Sequence, residues 1–368
     1  MAIPPLAGFS VAVTADRRSE EQVALLARRG ADVVVGASVR TLPLVDDEPL
    51  STAIESVIAR PPAFTVLLTG IGVRGLLAAA DGMGRDAELV ASLCDTSIIA
   101  RGPKAAGAAA TAGLDVEWIT PGERSIEIFD RLADDARRGA RIAIQRDGQS
   151  RPLLADALAA LGADAVDIPV YRWELPDDVR PARRVIDAVV AREVDAVTFT
   201  SSPAVQHLVS IAADAGLGDD LLDALAGDVV AACVGPVCAE TAASVGIGAA
   251  IVPKRARLGA MVQTLAAHFA GRGRAITACG REVTLQGRAV FVDGALAALG
   301  ARERSVLDAL AAANGAVVGK QRLLHAVWGE GFDDDHAVEV AVARLRRGLG
   351  VAGDAIETVA RRGYRLAG

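Results

Sequence analysis

The stretch from residue 299 to the end constrains the fold most, because it reads as three helices followed by a glycine-turned hairpin. The first helix is expected over residues 301–313. Asn314-Gly315 stops it, since both residue types tolerate left-handed backbone. The second is expected over residues 320–328. Three acids, Asp333, Asp334 and Asp335, open a third over residues 336–349, and a hairpin follows over 356–366 with Gly363 in its turn. Along the third helix Val338, Val342, Leu345 and Leu349 recur at helical spacing and make one apolar stripe. Arg344, Arg346 and Arg347 lie off that stripe near the C-terminal end. Acids first and bases last both suit the helix dipole. A charge run alone is usually a solvated face. A basic helix followed by a basic hairpin points further, to a DNA duplex. The major groove admits one α-helix, and arginine there makes a bidentate contact to guanine. In the hairpin Arg361, Arg362 and Arg365 are placed to reach phosphates or a minor groove, and Tyr364 to pack back on the domain.

The charge balance divides the chain. Its formal net charge is −7, yet from residue 270 onward bases outnumber acids. The acidic remainder repels nucleic acid and the C-terminal part tolerates it, so the larger part is expected to have a separate, small-molecule role. A length of 368 residues fits two or three domains. No run is apolar and long enough to span a membrane, and the N-terminus lacks the pattern of a signal peptide. The four cysteines are scattered, and Cys233 and Cys238 have no second pair or nearby histidine to complete a zinc set. No metal site and no organic cofactor is expected, and a reducing cytoplasm is the expected location.

Upstream of residue 270, short β-branched runs at 11–14, 33–35, 65–69, 97–100, 141–145, 196–200 and 229–234 alternate with segments of helix length. That alternation argues for parallel sheets with helices on both faces, and such sheets bind ligands at the carboxyl ends of their strands. An internal repeat sharpens this. Ile98-Ile-Ala-Arg-Gly-Pro-Lys104 echoes Ala231-Ala-Cys-Val-Gly-Pro-Val237, and Val66-Leu-Leu-Thr-Gly70 upstream echoes Val197-Thr-Phe-Thr-Ser201. Each copy is a strand, a Thr-containing turn, a helix, then a strand ending in Gly-Pro and another helix. Gly-Pro makes a clean helix start. It either does only that, or it exposes free N–H groups that hold anions. Two Pro-containing segments, Leu42-Pro-Leu-Val45 and Ile168-Pro-Val-Tyr171, bracket the middle of the chain. If both cross between lobes, one lobe is discontinuous: residues 1–40 with 173–270. The other is 46–167, with connectors 41–45 and 168–172, and a hinge at 271–275 leads to the last domain, 276–368.

Several motifs carry resemblances. Leu299-Gly-Ala-Arg-Glu303, Leu323-Leu-His-Ala-Val-Trp-Gly329, Arg344-Leu-Arg-Arg347 and Thr358-Val-Ala-Arg-Arg-Gly-Tyr-Arg-Leu366 resemble the winged-helix output domain of OmpR/PhoB-type response regulators. That resemblance implies that Arg344 and Val340 face bases. It places Trp328, Arg346 and Thr358 near the DNA backbone, with His336, Arg347, Arg361 and Arg362 as further DNA candidates. The wing departs from the family pattern by displacing its arginine one position. Arg141-Ile-Ala-Ile-Gln-Arg-Asp-Gly148, Pro169-Val-Tyr-Arg172, Thr198-Phe-Thr-Ser-Ser-Pro203 and Val234-Gly-Pro-Val-Cys-Ala239 resemble uroporphyrinogen-III synthase over residues 8–270. The fold implied is α/β: two doubly wound parallel-sheet lobes, one discontinuous, plus a C-terminal winged helix-turn-helix.

The synthase family closes hydroxymethylbilane, a linear tetrapyrrole, without cofactor. Its substrate bears eight carboxylates, so the expected ligand is a tetrapyrrole or another polycarboxylate. The resemblance makes Tyr171 the acid candidate, and packing against Trp173 is the competing role for that ring. It makes Thr200, Ser201, Ser202, Gly235, Pro236 and Cys238 binding candidates on one lobe, with Thr69, Gly70, Arg101, Gly102, Lys104 and Arg146 on the other. Cys238 stands where the family commonly has threonine. No receiver domain is evident. The reading is a DNA-binding regulator with a ligand-sensing synthase-like module, acting on promoter or operator DNA as a homodimer on direct repeats. The fusion also resembles actinobacterial regulators of nitrate and nitrite assimilation. The alternative is a bifunctional enzyme that makes uroporphyrinogen III and also binds DNA.

Overall fold

The computed structural model describes residues 2–45, 47–149, 151–330 and 334–367. Asp333, the first of the three acids, lies outside the described residues, as do Asp46 and Gly368 at the expected domain limits. The chain forms two compact units. One, the inserted unit, is Val39–Leu175; the other, the split unit, combines Met1–Ser38 with Pro176–Gly368.

The inserted unit is built on a five-stranded sheet in the order Val116–Ile119, Ser97–Ala100, Phe64–Leu67, Arg141–Gln145, Asp164–Ile168. Every pairing is parallel. Successive residues of a strand alternate faces, and both faces are covered. Leu67, Ile98, Ala100 and Ala143 pack into one core, while Val66, Ile99, Ile142 and Ile144 pack into another. The expected strands at 65–69, 97–100 and 141–145 are present. The two edge strands Val116–Ile119 and Asp164–Ile168 were not expected. Each carries acids and is only half buried, which hides the apolar run that marks a central strand. Arg40–Pro43 and Tyr171–Glu174 pair with each other as an antiparallel ribbon, Pro43 opposite Tyr171.

The split unit has a four-stranded parallel sheet in the order Val230–Cys233, Ala196–Phe199, Ser10–Val13, Asp32–Val35. Ile251 bridges Ala232 in parallel, where Val116–Ile119 stands in the other sheet. The two sheets therefore share one strand order, as the repeat predicts. They differ in where the chain enters, because Ser10–Val13 and Asp32–Val35 precede Ala196–Phe199 in the chain, whereas Arg141–Gln145 and Asp164–Ile168 follow Phe64–Leu67.

The same unit carries the C-terminal domain. An antiparallel sheet of Arg274–Ala278, Arg281–Gln286, Ala289–Val292 and Ala295–Leu296 leads into helices Ala301–Ala312, Lys320–Trp328 and Asp335–Leu349. The hairpin Ile356–Val359 with Gly363–Leu366 completes a winged helix. Of these four leading strands, Arg274–Ala278 is largely solvent-facing and Ala295–Leu296 is short. Asn314 and Gly315 are both left-handed, φ 48° and 82°, and the first helix ends just before them. The stripe Val338, Val342, Leu345 and Leu349 is 3% exposed or less. Each such side chain contributes about 1.5–3 kcal/mol by leaving water. The stripe meets Leu307, Leu310, Leu323, Leu324 and Tyr364 in one core.

Gly363 locks the hairpin to that core. Tyr364 N donates to Val318 O at 3.0 Å and Val318 N donates to Tyr364 O at 2.8 Å. The close approach leaves no room for a Cβ on Gly363, which would lie 2.0 Å from Val318 O, and its φ is +129°. Gly363→Ala is expected to lower winged-helix stability by about 2–4 kcal/mol, read as an earlier thermal transition. An unshifted transition would contradict this packing.

Candidate nucleic-acid interface and candidate ligand turns

The helix Asp335–Leu349 is fixed at its start by its own acids. Asp334 caps it, accepting from His336 N at 3.0 Å. Asp335 accepts from Gln321 Nε2 at 3.0 Å, and Glu339 pairs with Lys320, so the helix is clasped to the start of its predecessor. Trp328, His336, Val340 and Arg344 line one shallow depression with Arg302. The Arg302 guanidinium lies 5.6 Å from the Trp328 ring centre. The sequence reading overlooked Arg302, because nothing local ties residue 302 to residue 328.

The arginines separate into two kinds. Arg344, Arg347, Arg361 and Arg362 are exposed and, among the described residues, make no ion pair or side-chain hydrogen bond. Arg361 stands at the hairpin tip with φ +59°. Arg346 instead turns inward. Its Nε donates to Ile356 O at 2.9 Å and its Nη2 to Thr358 Oγ1 at 3.0 Å, with the Tyr364 ring centre 5.9 Å away. Arg365 pairs with Glu357 across the hairpin at 2.6 Å. Arg346 thus braces the wing against the helix, and Thr358 receives that brace.

The candidate ligand turns of the inserted unit sit at strand ends. Thr69 caps the helix Gly70–Gly82 by accepting from Gly72 N at 3.0 Å. Thr69 N donates to Gln145 Oε1 at 3.1 Å. A Cβ on Gly70 would lie 2.4 Å from Lys104 O, so only glycine lets this turn touch the Gly102-Pro103-Lys104 turn. Thr69, Gly70, Gly102 and Lys104 are thereby brought together. Lys104 is exposed. Arg101 is not a free cation, since its Nη1 pairs with Asp147 Oδ2 at 2.8 Å, and Asp147 is 8% exposed. Arg146 Nε lies 3.5 Å from Asp167 Oδ2, and burial pushes the Asp167 carboxyl above its ordinary value. Tyr171 is 3% exposed. Its hydroxyl is 3.2 Å from Thr69 Oγ1 and its ring meets Trp173 edge-on at 5.7 Å. Burial raises the phenol above its ordinary value, so it stays protonated at neutral pH.

In the split unit Ser201 and Gly235 stand at the caps of helices Ser202–Asp214 and Pro236–Ser244, which pack together. Thr200, Ser201 and Ser202 are half-buried. Thr241 Oγ1, absent from the sequence reading, donates to Ser202 Oγ at 2.8 Å. Cys238 is 4% exposed, and its Sγ faces Phe199 O at 3.7 Å. A hydrogen bond with Cys233, then burial, pushes the Cys238 thiol up, so it is a neutral donor here. All four cysteines are free.

Residues 20–263 match the family model of uroporphyrinogen-III synthase HemD. The chain belongs to that family. Residues 294–366 match the C-terminal domain of transcriptional regulatory proteins, so this HemD-family chain is also a DNA-binding transcriptional regulator of OmpR/PhoB type. A putative uroporphyrinogen-III synthase of Methanothermobacter thermautotrophicus is 33% identical over 172 residues, 47% of this chain and 66% of its own length. The transcriptional regulatory protein CseB of Streptomyces coelicolor is 29% identical over 245 residues, 65% of this chain and 96% of its own. A mutant uroporphyrinogen III synthase from the extremely thermophilic bacterium Thermus thermophilus superposes with TM-score 0.60 at 29% identity, covering 71% of this chain and 99% of that one. No helix among the described residues is long and apolar enough to cross a membrane.

The two kinds of arginine give opposite expectations. Arg346→Ala removes the brace and is expected to lower stability by about 1–3 kcal/mol. Arg344→Ala is expected to leave stability within about 0.5 kcal/mol while relaxing base preference by about 1–3 kcal/mol. Paired thermal unfolding and binding-site selection check both. Equal stability losses would show that Arg344 is a structural residue.

Proposed function

We propose that this chain is a one-component regulator: the HemD module binds a tetrapyrrole or another polycarboxylate without turning it over, and the winged helix reads operator DNA according to that state. The observation that supports this most is the contrast in cations. Arg344, Arg347, Arg361 and Arg362 of the winged helix are exposed and make no ion pair among the described residues, whereas Arg101 is matched to a nearly buried acid, Asp147. In this reading Arg344 and Val340 face bases in the major groove, and Trp328, His336, Arg347, Arg361 and Arg362 lie along the phosphates. On the module, Thr69, Gly70, Gly102 and Lys104 and, separately, Thr200, Ser201, Ser202, Gly235 and Pro236 offer hydroxyls and helix-start N–H groups to carboxylates. Two protomers bind a direct repeat, in the cytoplasm. The module spans 1–40 with 173–270 and 46–167. The resemblance to nitrate and nitrite assimilation regulators supports nitrogen control, since sirohaem, required for nitrite reduction, derives from uroporphyrinogen III.

A second reading, the bifunctional enzyme, is favoured by one observation. The protonated Tyr171 is retained and within hydrogen-bond reach of Thr69. Product analysis with hydroxymethylbilane separates the two. The sensor reading expects no type III product at an enzymatic rate and a DNA affinity that shifts with uroporphyrinogen III. Type III product that disappears in Tyr171→Phe would establish the enzyme. Arg362→Ala is expected to weaken all DNA sequences alike and to reduce the salt slope by about one unit. A sequence-dependent loss would move Arg362 from the phosphates to the bases.

A further inference from the structure

The winged helix is joined to the first lobe by more than the glycine-rich segment at residues 271–273. The turn between strands Arg281–Gln286 and Ala289–Val292 is seated on the loop that precedes the lobe's first strand. Gln286 is 8% exposed, and its Nε2 donates to both Pro4 O and Ala7 O at 3.0 Å. Arg288 N donates to Gly8 O at 2.6 Å. Two glycines permit the approach. A Cβ on Gly8 would lie 2.3 Å from Gln286 O, and one on Gly287 2.3 Å from Gly8 O; both have positive φ, 80° and 54°. Phe9, whose ring meets Phe269 at 4.4 Å, closes the apolar side.

The charged side of this contact reaches the central strand of the lobe. Arg288 Nη1 pairs with Asp195 Oδ2 at 2.5 Å, and its Nη2 donates to Arg192 O at 2.8 Å. The same Asp195 oxygen accepts from Ser10 N at 2.7 Å. Asp195 immediately precedes the strand Ala196–Phe199, which is fully buried. At the other end of that strand, about 16 Å from Asp195 at the usual rise, stand Thr200, Ser201 and Ser202. Thr198 is held on the way by Gln22 Nε2, 2.7 Å from its Oγ1.

We propose that this contact is a regulatory latch. It makes the winged helix one body with the first lobe, and it reports the state of the Thr200–Ser202 turn through the strand to Asp195 and Arg288. The reporting half rests on the sensor reading above; the latch itself does not. The DNA-reading arginines take no part in the latch, so it orients the domain without masking it.

The test uses the full chain as wild type, R288A and G287V. Hydrogen exchange is followed by mass spectrometry in the segments containing residues 4–10 and 286–289. Both segments are expected to be protected in the wild type and to exchange about tenfold or more faster in both variants, with the helix Asp335–Leu349 unchanged. R288A leaves the turn backbone intact, so it separates loss of the latch from strain in the turn itself. Equal exchange in all three proteins overturns the latch. DNA affinity is then measured on a genomic fragment selected by the wild type, with and without uroporphyrinogen III under nitrogen. A wild-type shift that vanishes in R288A, at unchanged ligand-free affinity, supports the reporting route. The same shift in both proteins overturns that route. A wild type indifferent to the probe counts against the sensor reading, and the exchange measurement still decides the latch.

Discussion

The pairing of Ser10–Val13 with Ala196–Phe199 is the constraint on which the rest of the structure depends. These strands are neighbours in the sheet although the whole inserted unit lies between them in sequence, Val11 opposite Ala196. The first lobe cannot close its core until the chain returns. The entropy of closing so long a loop grows only slowly with length, which is why an entire second lobe is tolerated inside the first. The contact is costly in folding time rather than in stability. Once made, it places Thr14 Oγ1 against Thr198 O at 2.9 Å and Thr198 Oγ1 against Ala12 O at 2.8 Å. Two adjacent strands are thereby tied by side chains as well as backbone. It also brings the loop before residue 10 beside Asp195, and so gives the winged helix something to sit on.

The repeat was legible because it is written in residues with special backbone needs. Gly102-Pro103 and Gly235-Pro236 both stand at helix starts, where proline has no N–H to lose and its fixed φ already suits the helix. The winged helix was legible for a related reason. Its stripe has one periodicity over four buried positions, and its helix stop, Asn314-Gly315, has one conformational purpose. Edge strands were not legible, since Val116-Glu-Trp-Ile119 and Asp164-Ala-Val-Asp-Ile168 mix acids with apolar residues on half-exposed faces. A strand with one neighbour has no need of an apolar run.

The roles of individual charges were the least legible part. Arg344, Arg346 and Arg347 stand in one run, yet a rotation of about 100° per residue sends them in different directions. Arg346 meets Ile356 O and Thr358; its neighbours meet solvent. Arg101 looks like an anion receptor beside a helix start until Asp147, far away in sequence, is placed 2.8 Å from it. The local sequence states that a cation is present. Only the tertiary fold states whether another protein group has already neutralised it.

That distinction bears on how a synthase scaffold comes to serve a regulator. A cleft that must fold a flexible, many-charged chain into a reactive shape needs cations that respond to substrate. A sensor needs only an affinity difference between two states of the protein. Arg101, already paired with the nearly buried Asp147, offers an incoming carboxylate less than an unpaired cation would. It is adequate for the second. In the sensor reading proposed above, the buried central strand Ala196–Phe199 is the element suited to carry a signal toward Asp195.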